Sequence, residues 1–351
     1  MNIKLTCKLY NNDAFYFVKP IIDINKVENI YVYRDNAGLG NSKIKYIISK
    51  LNRTFFRFIW RFFQMLFSSK KFDLIIGIYE MPHGLLALII GLLKNKPVII
   101  SVIGNPRLDI RNKGIRGKIT NIILKKCDVI TVTGTIGRNY YIQEKKFNSK
   151  KVFVLPNSID TEEFKATNIK KKYDIITLGR LSPEKGLDFL IDIVAKIKLN
   201  FPNIKVAIAG DGAIKDELQS QIETLSLSEN IDLLGYVKDS IEFLNSGNIF
   251  LTTSKTEGLP RAVIQSLSCG TPVIASNVGD MSDLVINNKT GYLINNYNDI
   301  DAFVKAIEEL LVNDKVRAKL AVNSMIYVKE NYSHKSATHL WNEIFNYLNI
   351  N

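Results

Sequence analysis

The sequence predicts an α/β protein built from two doubly wound parallel sheets that face each other across a cleft. Three observations carry this expectation. Short apolar runs alternate with amphipathic segments along the whole chain, twelve such runs occur, and one polar connector divides them into two sets of six. Strands alternating with helices of about 10 to 15 residues make parallel sheets covered on both faces, and twelve strands exceed what one such sheet holds. Two sheets of about six strands remain.

In chain order, strands are expected at 3–9, 30–33, 74–78, 98–103, 129–132 and 152–155, then at 175–178, 206–209, 231–234, 249–252, 273–275 and 291–294. Segments 187–199, 214–225, 260–269 and 299–311 repeat apolar residues every three or four positions, the period of a helix with one buried face. Residues 42–72 carry that period with a basic stripe and are expected to form one long helix. The connector LPNSIDTEEFKATNIKKKY, residues 155–173, interrupts the pattern with turn residues and three successive lysines. The expected organisation is a first domain over 1–160, a second over 161–330, and a terminal helix over 331–351 that packs back through Trp341, Phe345 and Leu348.

With 351 residues, 46% apolar and 23% charged, the chain can bury two cores and is neither a disordered tail nor a coiled-coil rod. Cys7, Cys127 and Cys269 are odd in number and far apart, so no disulfide framework or metal site is signalled. A reducing cytoplasm is the expected setting. The start lacks the apolar core of a signal peptide, and the most apolar stretch, 85–93, is about half of the ~20 residues a spanning helix needs. The net charge of +13 is unevenly spread: residues 1–150 hold 26 Lys and Arg against 9 Asp and Glu, and residues 151–351 hold 21 against 25. That asymmetry points to an anionic surface met by the first half, either nucleic acid or membrane headgroups.

Two segments of the second half could carry chemistry. In Thr177-Leu-Gly179-Arg180-Leu-Ser-Pro-Glu-Lys185-Gly186, a strand exits through Gly179 and leads to a helix, with Arg180 and Lys185 as cations beside the helix amino terminus. Helix N–H groups, a guanidinium and an ammonium all favour one anion, so the setting suits phosphate. An ordinary charged surface loop is the competing reading. In Thr252-Thr-Ser-Lys-Thr-Glu257-Gly258-Leu259-Pro260, followed by RAVIQSLSCG, Gly258 lets a ligand approach the backbone and Pro260 suits a helix's first position. Glu257 and Gln265, eight apart, could reach different ends of one elongated ligand. A helix dipole alone would favour Glu257 but would not explain the whole string.

Together these segments resemble family 4 of the retaining glycosyltransferases, which have the GT-B fold. GRLxxxKG is followed about 70 residues later by S-x-x-E-G-x-P and G-x-P-V-I-A-S. Leu155-Pro-Asn-Ser-Ile-Asp160 is similar to the family's connector, and Ala209-Gly210-Asp211-Gly212 to its G-x-G loop. Gly235-Tyr236-Val237 resembles the stretch against the nucleotide base, and Asn288-Lys-Thr-Gly291 its D-G-x-x-G turn. The resemblance covers roughly residues 150–300. It implies sugar transfer from a nucleotide-sugar co-substrate, with no further cofactor, no metal and retained anomeric configuration. Arg180 and Lys185 would hold the diphosphate, Glu257 with the N–H groups of Gly258 and Leu259 would face the donor sugar, and Gln265 would meet the ribose. The family pattern there is E-x7-E, and this chain has Gln at the second place. An amide carbonyl still accepts a hydroxyl proton, about 1 kcal/mol more weakly.

The first half matches less closely. Tyr10-Asn11-Asn12 replaces a glycine pair, and Ile103 stands where many members have a His. His83, Asn105 and Asp109 are the candidate acceptor-side contacts, although a lone His is more often structural. Within 42–72, Lys50, Arg53, Arg57 and Arg61 would line one face of the expected helix, opposite Ile48, Leu51, Phe55, Phe58, Ile59, Phe62 and Leu66. A basic stripe beside an aromatic face suits a helix in a membrane interface, while the same aromatics could simply cover the sheet. No nucleic-acid reader motif occurs. The expected acceptor is a lipid-linked or other saccharide, met by an enzyme peripheral on the inner face of the cell membrane. A GT-B sugar-nucleotide 2-epimerase and a non-catalytic GT-B binding protein are the alternatives.

Overall fold

The computed structural model describes residues 1–9, 11–49, 54–106 and 114–350. The chain forms two units, Met1–Ser158 with His334–Asn351, and Ile159–Ser333. In the first, β1 (Asn2–Thr6), α1 (Asn11–Ile22), β2 (Asn29–Arg34), β3 (Ile44–Ile48), α2 (Thr54–Leu66), β4 (Leu74–Ile78), α3 (Leu85–Lys94), β5 (Val98–Val102), α4 (Gly114–Lys126), β6 (Val129–Val132), α5 (Thr135–Asn139) and β7 (Val152–Val154) follow in sequence. The strands lie parallel in the order β3-β2-β1-β4-β5-β6-β7. Chain direction across the sheet reverses between β1 and β4, so a crevice opens beyond their carboxyl ends.

The second unit runs β8 (Tyr173–Leu178), α6 (Leu187–Ile197), β9 (Val206–Ala209), α7 (Lys215–Thr224), β10 (Ile231–Gly235), α8 (Ser240–Asn245), β11 (Gly247–Thr252), α9 (Arg261–Ser268), β12 (Val273–Ser276), β13 (Gly291–Ile294), α10 (Ile300–Val312) and α11 (Asp314–Asn331). Its six strands are parallel in the order β10-β9-β8-β11-β12-β13, and the reversal falls between β8 and β11. The chain then returns to the first unit as α12 (His334–Tyr347). Trp341, Ile344 and Phe345 are buried there, Trp341 meets Phe17 edge to face, and the Thr338 hydroxyl donates to the Pro20 carbonyl at 3.0 Å.

Thirteen strands are present among the described residues, one more than the sequence pattern predicts. The extra one is β3, which falls inside the expected long helix. Ile44, Ile47 and Ile48 are β-branched, and pairing from Ile30–Ile44 to Arg34–Ile48 gives that preference a parallel edge to join. The helix is confined to α2, and the two residues of the expected basic stripe that it carries, Arg57 and Arg61, are taken up by a carboxylate of the same unit. Arg61 is buried and pairs with Asp35, while Arg57 meets the same carboxylate at 2.9 Å. Burial opposes ionisation of Asp35, but the two guanidiniums outweigh it and hold its carboxyl below the usual range. Arg57 and Arg61 are therefore structural cations. Lys50 and Arg53 lie outside the described residues.

At the β1/β4 reversal, His83 occupies the turn Glu80–Gly84 after β4 and shares a 2.8 Å hydrogen bond between its Nδ1 and Thr6 Oγ1 at the end of β1. Burial, reinforced by the Arg61 charge, lowers its pKa from 6.5 to about 3. His83 is thus a neutral, buried imidazole that ties the turn after β4 to the end of β1, which is the structural role a lone His more often has.

Asp35→Asn leaves Arg61 buried without its counter-charge and should lower the unfolding free energy by about 2 kcal/mol, less than for a fully buried pair because Asp35 is half-buried. Denaturant titration checks it. For His83, the depressed folded pKa means that its stabilising contribution is complete above the unfolded value of 6.5 and is lost as pH falls towards 3, by at most about 1.4 kcal/mol per pH unit. The stability advantage of the parent over His83→Gln should therefore shrink as pH falls from 6.5, and a constant difference would contradict the buried neutral state.

Candidate active site

In the second unit, the loops after β8 and β11 meet at the reversal of strand order, where an open α/β sheet leaves space for a ligand. The segment after β8 turns through Pro183–Lys185 and reaches α6 through Gly186 at φ 60°. A side chain there would be strained, and its Cβ would fall 2.3 Å from the Thr253 carbonyl oxygen. The Thr253 hydroxyl donates to the Gly186 carbonyl at 2.7 Å, and the Lys255 N–H donates to the Glu184 carbonyl at 2.8 Å. Thus the two motifs, distant in sequence, are stitched together by one backbone bond and one side-chain hydroxyl.

That stitching places Lys185 Nζ 2.6 Å from Glu257 Oε1, and Ser254 donates its hydroxyl to the same oxygen at 2.7 Å. Ser254 is buried, and its oxygen lies 3.2 Å from Thr252 Oγ1. Gly179, Arg180, Lys185, Ser254, Glu257 and Pro260 line one pocket. Arg180 stands exposed at its edge, so a guanidinium and an ammonium flank one small space whose floor is largely apolar. The first-turn N–H groups of α9 lack intrahelical partners, and Pro260, as its N-cap, Ala262 and Val263 border the pocket. Pro260 therefore precedes the helix and does not occupy its first position. Chemically, this is an anion cradle with a carboxylate beside it, restrained by a cation and a hydroxyl.

The remaining donor-side residues form the surroundings of that pocket. Gly210, at φ 143°, lets its loop pass under the first motif: a Cβ would overlap the Gly179 carbonyl oxygen at 1.7 Å. The Gly179 N–H donates to Ala209, the Leu181 N–H to Asp211 and the Gly210 N–H to Gly235. Asp211 accepts from the Gly212 N–H at 2.9 Å, capping its own loop. Val237 is half-buried against the second-unit core, and Leu259 buries its side chain there, so Leu259 offers a ligand only backbone. The Gly258 carbonyl accepts from Asp280 at 3.0 Å, which fixes the segment after Glu257. Gln265 is half-buried on α9, beyond the pocket lining.

Ser254, Thr253 and Gly186 lie within the quoted sequence motifs, but the sequence alone assigns them no role in this site. The polar run Thr252-Thr253-Ser254 at the end of an apolar strand was the available signal. In the first unit, Asn105 is half-buried in the loop after β5, and Asp109 lies outside the described residues. Among the described residues, no group of three or more His, Cys, Asp or Glu side chains could hold a metal, and no helix is long and apolar enough to cross a membrane.

Residues 158–325 match the family described as glycosyl transferases group 1, and residues 31–163 match glycosyltransferase family 4. An uncharacterized glycosyltransferase of Methanocaldococcus jannaschii is 30% identical over 298 residues, covering 78% of this chain and 71% of the relative. The Escherichia coli UDP-Gal:alpha-D-GlcNAc-diphosphoundecaprenol alpha-1,3-galactosyltransferase is 27% identical, with 72% and 69% covered. The poly(ribitol-phosphate) alpha-N-acetylglucosaminyltransferase of Staphylococcus aureus is 28% identical over 57% of this chain, which spans only 41% of that relative. Among solved structures, Anabaena HepE in complex with UDP superposes with a TM-score of 0.82 at 16% identity, covering 98% of this chain and 99% of the other. Sucrose-phosphate synthase from Thermosynechococcus elongatus gives 0.78 at 16% identity over 99% of both. At that identity the structural likeness establishes the fold, GT-B, while the sequence matches establish the family: the chain belongs to the group 1 glycosyltransferases, family 4.

Proposed function

We propose that this glycosyltransferase moves a sugar from a UDP-sugar, or a GDP-sugar, to a lipid-linked or saccharide acceptor at the cytoplasmic face of the membrane, in the synthesis of a cell-surface polysaccharide or glycolipid. The observation that carries the reading is the meeting of Arg180, Lys185 and Glu257 around one pocket at the β8/β11 reversal. UDP in the HepE complex and in the name of the E. coli relative supports uridine as the base. That relative's diphosphoundecaprenol acceptor, and the phosphatidylinositol acceptor named for an Arabidopsis thaliana relative 31% identical over 166 residues, support the lipid side.

The proposed mechanism uses charge held in place before the reaction. As the bond from the sugar's anomeric carbon to the diphosphate breaks, negative charge grows on the leaving phosphate. Arg180 and Lys185, both already on the diphosphate once the donor is bound, stabilise it with no further movement during bond breaking. On this reading the positive charge comes from side chains, so no metal ion or further cofactor is invoked. Lys185 leaves its pairing with Glu257 for the phosphate, and the freed carboxylate, with the Gly258 and Leu259 N–H groups, takes up the donor sugar's hydroxyls. The acceptor hydroxyl attacks from the side that the leaving group vacates, its proton passing to the departing phosphate, and the anomeric configuration is retained.

Arg180→Ala and Lys185→Ala should each lower kcat by about a hundredfold or more while the melting temperature stays near that of the parent. Unchanged turnover in either variant would remove the assigned role. Gln265→Glu restores an ionised acceptor for the ribose and should tighten UDP binding about fivefold, the equivalent of about 1 kcal/mol. Thermal shift with UDP and GDP reads this, because a ligand bound only by the folded state raises its stability by mass action. Loss of UDP affinity in that variant would move Gln265 out of the ribose site. Release of free nucleotide sugar epimer in place of a glycosylated product would favour the epimerase reading.

A further inference from the structure

The outward side of the α2–α4 layer in the first unit is apolar, although a surface helix normally turns polar residues outward. These helices cover the sheet face that holds Ile75, Ile100 and Ile130. Trp60 is 50% exposed and Phe67, just past the end of α2, is 75% exposed; Phe63 lies between them and stacks on Phe67 with ring centroids 6.0 Å apart. On α3, Leu92 and Leu93 are 61% and 60% exposed, and Ile115 at the start of α4 is 78% exposed. Trp60, Phe63 and Phe67 line one open concavity together with Lys70, and the neighbouring α3 and α4 expose further apolar side chains; exposed apolar surface of this kind marks an interaction face.

Charge decides the occupant. The 36 residues of α2, α3 and α4 contain seven Lys and Arg and no Asp or Glu. Two of the seven, Arg57 and Arg61, are held by Asp35. The others, Lys94, Arg116, Lys118, Lys125 and Lys126, lie on α3 and α4, with Lys70 and Lys71 following α2. Two copies of a basic face without carboxylates would repel each other. An anionic lipid surface matches both properties, since aromatic and aliphatic side chains enter the boundary between headgroups and acyl chains while lysines reach the phosphates.

We propose that the outward face of α2–α4 is the membrane-docking surface of this enzyme, with Trp60, Phe63 and Phe67 inserted below the headgroups of an anionic leaflet. The inference deepens the lipid-side reading above and rests on it. It also differs from the sequence-based expectation for α2: Arg57 and Arg61 pair with Asp35, and the aromatics face the lipid.

The full chain is mixed with vesicles of phosphatidylcholine containing phosphatidylglycerol, and partitioning is measured by flotation together with tryptophan emission. The chain has two tryptophans, and Trp341 is buried, so Trp60 reports the environment. The expected results are a blue shift, quenching by brominated lipid, and at least a tenfold loss of partitioning in Trp60→Ser/Phe63→Ser/Phe67→Ser, whose UDP-induced thermal shift shows that it is folded. Trp60 emission that stays water-exposed in floated protein would overturn the proposal, as would equal partitioning of the triple variant. A lipid-free dimer abolished by the triple substitution would overturn it in favour of a second copy. Docking as described, with transfer to a soluble saccharide unaffected by vesicles, would uphold this surface and refute the lipid-linked acceptor.

Discussion

The contact between Lys185 and Glu257 is the constraint on which the functional architecture of the second unit depends. It exists because β8 and β11 are neighbours although β9 and β10 intervene in sequence, so the loops leaving them share one crevice. An ammonium with a single carboxylate partner and a guanidinium nearby is half of a phosphate site already assembled. The cost of bringing those charges together is met by the fold: backbone bonds from Lys255 to Glu184 and from Gly179 to Ala209 fix the loops before any ligand arrives. Such prior positioning is what makes charge effective in a transition state, since little reorganisation is left to accompany bond breaking.

The first unit uses charge differently. Arg57 and Arg61 converge on Asp35, and His83 is held neutral against Thr6, so the titratable groups near the β1/β4 reversal serve the packing of strand ends. This leaves the exposed side of α2 to aromatic residues. The strongly basic character of the first half is therefore not one patch. Part of it is internal, and the part that remains outward frames an apolar face.

Much of this was legible in the sequence because it rests on local signals. β-Branched runs such as 98–102 read as buried parallel strands, and GRLxxxKG with S-x-x-E-G-x-P marks two strand-to-helix turns regardless of what lies between them. What the sequence concealed depends on partners remote in the chain. Ile44–Ile48 becomes a strand because β2 offers it an edge, and a four-residue recurrence of basic residues looks the same whether the arginines meet water or Asp35. Ser254 belongs to a legible motif, but its role was hidden for the same reason, since that role lies in a carboxylate whose orientation only the folded loop defines.

The most direct test of the central claim is a structure of the protein with UDP bound. The account predicts that the diphosphate sits between Arg180 and Lys185, with Lys185 Nζ within hydrogen-bond distance of the β-phosphate and withdrawn from Glu257. A diphosphate bound elsewhere, with the Lys185–Glu257 pair intact, would contradict it.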